Sequence, residues 1–255
     1  MFSKQELDFF ETNGYLIISS FENPDNCSLM LNELQNAVDE DNKNYPDAFD
    51  AGMVHNCFLR GKTMLAHLSS PRLRGATDAL LSKNAIVYAY QSSSLRPGQG
   101  NYGSRVHVDS PRFIPGYRTN LGYVLALQAF TYENGGTWVM PGSHLAKDVP
   151  DLPEFERHAI QLNCNVGDAI FFDGRLVHRA GKNHTNQWRH AITINFVRPF
   201  MRSRFDFPKM LSKDSRVNNL DDSARKFLGF HVRMPSSLSE FYLPPSERFY
   251  LPNQE

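Results

Sequence analysis

Gly167-Asp168-Ala169-Ile170-Phe171-Phe172-Asp173-Gly174-Arg175-Leu176-Val177-His178 reads as a turn, four apolar residues, a second bend and a histidine. The Gly-Asp and Asp-Gly pairs bracket a run too short for a helix, so Ala-Ile-Phe-Phe reads as a short buried strand. The same texture extends to either side. From Ala85 onward, β-type runs cover 85–91, 105–109, 119–131, 137–140, 158–163, 169–173 and 190–197. Turn residues separate them at Pro97-Gly98, Pro115-Gly116, Gly135-Gly136 and Pro141-Gly142. Such spacing predicts an antiparallel double-sheet jelly roll rather than alternating β-α units.

Upstream, the periodicity is helical. Ser3-x-x-Glu6 is a capping box ahead of Leu7, Phe9 and Phe10, Gly14 is placed to end that helix, and Tyr15–Ile18 follows as a short strand. Asn23-Pro24 opens a second helix, with Met30, Leu31, Leu34, Ala37 and Val38 at helical spacing and polar residues Asp39 to Asn44 ending it. Ser70-Pro71 opens a third, carrying Leu73, Ala76, Leu80 and Leu81, while residues 45–68 hold no decisive pattern. After Pro199 the chain is irregular and aromatic, with Phe200, Phe205, Phe207, Phe227, Phe230, Phe241, Tyr242, Phe249 and Tyr250 and one helix around Asp222–Leu228. The expected fold is mainly β with flanking α-helices, built on a double-stranded β-helix (jelly-roll, cupin-like) core. Residues 1–84 would form a mostly helical support, 85–198 the core and 199–255 a C-terminal wrap or lid, in one domain over 1–255.

Composition narrows the function. The 27 basic and 27 acidic residues cancel, and no basic stripe marks a nucleic-acid partner. Cys27, Cys57 and Cys164 are odd in number and widely spaced, against a disulfide framework and for a reducing compartment. The N-terminus, MFSKQELDFFETNG, has acids where a signal peptide would stay apolar, and the apolar run from Leu121 to Phe130 is too short to span a bilayer. A cytoplasmic protein, monomer or homodimer, without membrane or nucleic-acid partners is expected.

Chemistry concentrates at Arg105-Val106-His107-Val108-Asp109. In an extended chain His107 and Asp109 project from the same side, and Val106 and Val108 from the other. An imidazole beside a carboxylate supplies two members of the 2-His-1-carboxylate triad that binds non-haem Fe(II). Alone, the pair is better explained as an exposed or structurally hydrogen-bonded one. His178, presented beyond the Asp173-Gly174 bend, is the candidate third ligand. Arg189 follows eleven residues later, at the start of a strand. A buried arginine there needs an anionic partner, and its planar guanidinium suits a carboxylate such as the distal one of 2-oxoglutarate.

His107-Val-Asp109, Glu133-Asn134-Gly135-Gly136, Pro141-Gly142-Ser143-His144, Gly167-Asp168-Ala-Ile-Phe-Phe-Asp173, His178 and Arg189 occur in one order, with Asn13-Gly14-Tyr15-Leu16 ahead of them. In that set the chain resembles the phytanoyl-CoA dioxygenase family of Fe(II)/2-oxoglutarate oxygenases. The resemblance implies a double-stranded β-helix with His107, Asp109 and His178 on iron and Arg189 on 2-oxoglutarate. It implies O₂ as oxidant and succinate and CO₂ as products, and a small or medium polar metabolite is the expected substrate. Gln91, before the His-x-Asp motif, sits where relatives often place a cosubstrate contact; a strand-end amide capping the backbone is the alternative. Tyr123-Val124-Leu125 stands where relatives often carry a tryptophan. Halogenases of this kind replace the carboxylate with a small residue, so Asp109 points to hydroxylation or another two-electron oxidation. Arg112, Tyr117 and Arg118, just after the iron motif, are candidate substrate contacts. His144 reads as a turn-stabilising residue, His184 as a surface one and His190 as facing away from Arg189. A non-catalytic jelly-roll binding protein and a metal-dependent hydrolase on the same residues are the rival readings.

Overall fold

The computed structural model describes residues 2–48, 50, 52–232 and 234–248, so Phe249 and Tyr250 lie outside the described residues. Helix α1 (Lys4–Asn13) starts at the Ser3–Glu6 capping box and stops at Gly14, whose φ of 80° is the left-handed conformation a Cβ disfavours. Strand β1 (Tyr15–Ile18) follows, then α2 (Pro24–Asn44), capped by Asn23. The polar run Asp39–Asn44 closes α2, as expected, but is itself helical to its last residue. Arg60 reaches across to Glu40 at 2.8 Å, Asp41 at 2.7 Å and the Ala37 carbonyl, neutralising the charges and keeping the last turns helical. Residues 57–66 form two short helices, α3 (Cys57–Arg60) and α4 (Lys62–Ala66), before α5 (Pro71–Leu80).

The β region opens with β2 (Ile86–Ser92) and β3 (Asn120–Ala126), then β4 (Thr137–Val139). Asp151 caps a short helix, α6 (Leu152–His158), which takes His158 from the strand expected over 158–163, and that strand shrinks to β5 (Ile160–Gln161). Strand β6 (Ala169–Asp173) falls where the opening stretch places it, followed by β7 (His178–Ala180) and β8 (Ala191–Val197). Helices α7 (Phe207–Met210), α8 (Asp222–Phe227) and α9 (Leu238–Phe241) close the described chain.

All pairings are antiparallel. One sheet runs β1-β6-β3-β8-β2 and the other β5-β4-β7, and together they form the jelly-roll core. Between the sheets lie Val124, Ala126, Phe130, Val139, Ile170, Phe172, Leu176 and Ala191. On the outer face of the larger sheet, Tyr123, Leu125, Phe171, Ile194 and Phe196 meet Met30, Leu34, Leu73, Phe207 and Phe227 from the helices. That sheet is therefore covered on both sides, which is why β3 and β6 read as unbroken apolar runs rather than alternating ones. No helix among the described residues is long and apolar enough to cross a membrane.

Residues 105–109 do not form a ladder. A 3₁₀ turn (Tyr102–Ser104) precedes them and Pro111, which has no N–H to pair, follows. What remains is one reciprocal bridge. The His107 N–H donates to the His178 carbonyl and the His178 N–H to the His107 carbonyl, both at 3.0 Å.

Candidate functional site

That bridge sets the two imidazoles side by side, with ring centres 4.3 Å apart and planes tilted by 48°. His107 Nδ1 lies 2.7 Å from the Arg105 carbonyl oxygen and His178 Nδ1 lies 2.9 Å from that of Leu176. A carbonyl only accepts, so Nδ1 carries the proton on each ring and Nε2 keeps a free lone pair. Both Nε2 atoms turn towards Asp109 Oδ1, at 3.6 Å from His107 and 4.0 Å from His178. These gaps are too wide for strong hydrogen bonds. All three donor atoms lie within 4.8 Å of one another. This is an open triangle of two nitrogens and one oxygen, and the set fits a divalent metal of the Fe(II) kind.

The triangle is held from behind. Asp109 Oδ2 accepts from Asn195 Nδ2 at 2.8 Å. Asn195 Oδ1 in turn accepts from Asn120 Nδ2 at 3.1 Å, and Asn120 Oδ1 from the Thr119 hydroxyl at 2.8 Å. The chain of donors orients the Asn195 amide and leaves Asp109 Oδ1 for the centre of the triangle. The Phe172 ring packs against His178 with centres 4.6 Å apart. Room for that ring comes from Gly122, its cross-strand partner, where a Cβ would come closer than 3.0 Å to Phe172 Cζ.

Electrostatics separate the two histidines. Burial opposes charge on His107, but the adjacent Asp109 outweighs it and raises its pKa. His178 is buried more deeply, and burial, which Asp109 only partly offsets, pushes it down to about 4. Burial of Asp109 is in turn overcome by His107 and His178, which hold its carboxyl below the usual range. A neutral imidazole and an ionised carboxylate are the forms that bind metal.

The triangle opens into a cavity of about 290 Å³, walled by Gln91, Ser93, Phe172, Thr193 and Asn195 and rimmed by Tyr88, Asn101, Tyr102 and Arg204. Gln91 therefore reaches the site, and its Oε1 accepts from Arg204 Nη1 at 3.0 Å. Arg189 lies behind this wall, 2% exposed. Its Nη1 donates to the Ser93 carbonyl at 3.1 Å and Nη2 to that of Gly135 at 3.0 Å, with the guanidinium over the Phe130 ring. Its Nε has no partner, and no carboxylate pairs with it among the described residues. Burial alone pushes it down to about 9, the mark of an uncompensated buried cation.

Arg112, Tyr117 and Arg118 are not brought to this cavity. Arg112 is exposed. Arg118 is a clamp, bonding Asp173 at 2.7 Å, the Leu80 carbonyl at 2.6 Å and Glu11 at 3.0 Å. With Tyr117 it borders a separate surface cavity beside His144 and Arg198. The reason is the chain path. The Ser110 N–H donates to the Gly174 carbonyl and Gly116 turns at φ 70°, so the segment leaves the site for the surface beside the Asp173 end of β6. His144 bonds the Glu11 carbonyl at the end of α1, His184 is exposed, and His190 is buried against Trp188 with Nδ1 2.9 Å from Ser94 Oγ.

Asn195 and Thr193 escape a motif-by-motif reading, although alternation from Arg189 along one strand puts 189, 193 and 195 on one face. Arg204 carries no sequence signal. It arrives from the aromatic C-terminal region.

The family model described as Phytanoyl-CoA dioxygenase (PhyH) matches residues 10–191. An uncharacterized protein of Mycobacterium tuberculosis is 31% identical over 193 residues, covering 73% of this chain and 70% of that protein. Dioxygenase FrzG of Cladobotryum sp is 24% identical over 262 residues, 89% of this chain and 84% of its own length. Among solved structures, the epimerase SnoN in complex with Fe3+, alpha ketoglutarate and nogalamycin RO superposes with a TM-score of 0.62. Identity there is 19%, over 76% of this chain and 82% of that one, and the likeness is one of fold.

Proposed function

The chain belongs to the phytanoyl-CoA dioxygenase family, and from that premise we propose that it is an Fe(II)- and 2-oxoglutarate-dependent oxygenase acting on a small-molecule metabolite. The observation that carries this reading is the coincidence of two unmet needs in one core. Three inward-facing donor atoms lie within 4.8 Å with their lone pairs free, and a buried guanidinium nearby has no counter-ion. A structural His-Asp pair would not leave both Nε2 atoms unbonded, and a structural arginine buried to 2% exposure would be matched to a carboxylate.

His107, Asp109 and His178 would hold iron, which when bound supplies O₂ activation coupled to oxidative decarboxylation of 2-oxoglutarate to succinate and CO₂. The Arg105 and Leu176 carbonyls fix the imidazole tautomers, and Asn195 fixes the carboxylate. Arg189 takes the distal carboxylate of 2-oxoglutarate, exchanging two carbonyl acceptors for an ionic one. Phe172 and Val124 give the cavity an apolar floor. With Asp109 in place there is no vacated ligand position for a halide, so the reading is hydroxylation or another two-electron oxidation rather than halogenation.

Titration of 2-oxoglutarate into anaerobic, Fe(II)-loaded protein tests this. A weak visible charge-transfer band is expected in the wild type, absent in His107→Ala. In Arg189→Met the band should need about 10- to 100-fold more cosubstrate, the worth of a charge-assisted contact. Iron uptake without a band in the wild type would refute the cosubstrate reading. An unchanged titration in Arg189→Met would remove that residue from it.

A further inference from the structure

Arg204 is left without a task by the oxygenase reading, yet the fold goes to some length to place it. Strand β2 carries a bulge between Val87 and Ala89, which releases Tyr88 from the ladder. Bulges re-aim side chains beside binding sites. Here the freed Tyr88 carbonyl accepts the Arg204 N–H at 2.9 Å, and the Ser203 hydroxyl donates to the Val87 carbonyl at 2.8 Å. Both bonds staple the segment after β8 to the cavity rim. The guanidinium then lies over the Tyr88 ring, 5.3 Å from its centre, with Nη1 on Gln91 Oε1. The Nε and Nη2 edge of the fork has no protein acceptor among the described residues.

The charges lining the cavity are unbalanced in a way that specifies a ligand. Among the described residues Arg204 is its only lysine or arginine, and Asp109, committed to the triad, its only carboxylate. Arg189 sits behind the wall and is assigned to the cosubstrate. We propose that Arg204 determines substrate specificity by binding a carboxylate of the substrate through its free edge, so that the enzyme oxidises compact monocarboxylic acids. This rests on the oxygenase reading above. A single cation offering one bidentate edge matches a carboxylate, whereas a phosphate carrying nearly two charges would call for a second cation at the rim. The register limits size. Gln91 faces Thr193 and Ala89 faces Asn195, so Gln91 and Asn195, the latter bonded to Asp109, are diagonal neighbours roughly 7–8 Å apart. An acid held beside Gln91 puts carbons only a few bonds away within reach of the triad.

The test uses a metabolite extract of cells that carry the gene, separated by anion exchange and supplied with enzyme, iron, 2-oxoglutarate and labelled oxygen. Apart from succinate, which takes one oxygen atom in every turnover, label is expected in a compound of the anionic fraction, to disappear when the extract is methyl-esterified and to survive phosphatase treatment. With that compound purified, Arg204→Gln should raise its KM about 10- to 100-fold, leaving kcat and the KM for 2-oxoglutarate unchanged, and Arg204→Lys should recover part of the loss. A merely structural role would lower the melting temperature and kcat without this split. Labelled product from a neutral or cationic fraction, from a phosphatase-sensitive compound or from none overturns the proposal, as does an unaltered KM in Arg204→Gln. A raised 2-oxoglutarate KM would move Arg204 to the cosubstrate and overturn it too. The charge-transfer band keeps the two readings apart, because its absence in the wild type is a failure of the oxygenase assignment and its presence without these effects is a failure of this one.

Discussion

Gly122→Ala tests how the triad is supported. The added methyl would lie closer than 3.0 Å to Phe172 Cζ, a separation Cβ atoms do not adopt, so the ring must move. It can yield only towards the cavity it walls. Phe172 is 5% exposed, and its other side already meets His178 at a centre-to-centre distance of 4.6 Å. Two effects oppose each other. Alanine in a strand gains about 0.5–1 kcal/mol over glycine by restricting the unfolded chain. Overpacking a close-packed core costs about 1–3 kcal/mol. The second should win, for a net loss of about 1–2 kcal/mol in urea unfolding of the metal-free protein. Because the displaced ring presses on a proposed ligand, the iron dissociation constant should rise as well. Gly122→Ala with Phe172→Leu should recover both, showing that the two positions are coupled. A Gly122→Ala protein as stable as wild type and equally avid for iron would refute the argument.

Asn195→Ala removes the donor that holds Asp109 Oδ2; iron affinity should fall about 10- to 100-fold while the urea midpoint changes little, as a contact behind a metal ligand predicts. A large stability loss with unchanged iron binding would instead make Asn195 a core residue. The three cysteines should resist iodoacetamide in the folded protein at pH 8, since burial pushes the Cys27 and Cys164 thiols up to about 12 and Cys57 higher still. All three should label on unfolding, and prompt labelling of the native state would count against the packing described.

Sequence alone determined what depends on neighbours a few residues apart. The capping box at Ser3 and Glu6, the left-handed stop at Gly14, the proline-started helices at Pro24 and Pro71 and the strand Ala169–Asp173 all formed where local chemistry puts them. The ordered motifs also led to the family, and the family-model match bears that out. His107, Asp109 and His178 were legible as a set because their residue types match a metal triad, and the fold brings their donor atoms within 4.8 Å. What escaped was set by contacts between distant segments. Asp39–Asn44 stays helical because Arg60, on another helix, neutralises it. Arg118, adjacent in sequence to the iron motif, is carried away to clamp Glu11 and Asp173. Arg204, almost a hundred residues from Asp109, is carried in. Proximity along the chain governs caps, turns and periodicity, whose energies are local. Which polar groups share a cavity depends instead on sheet register and on a bulge in β2, and only the assembled tertiary structure decides those.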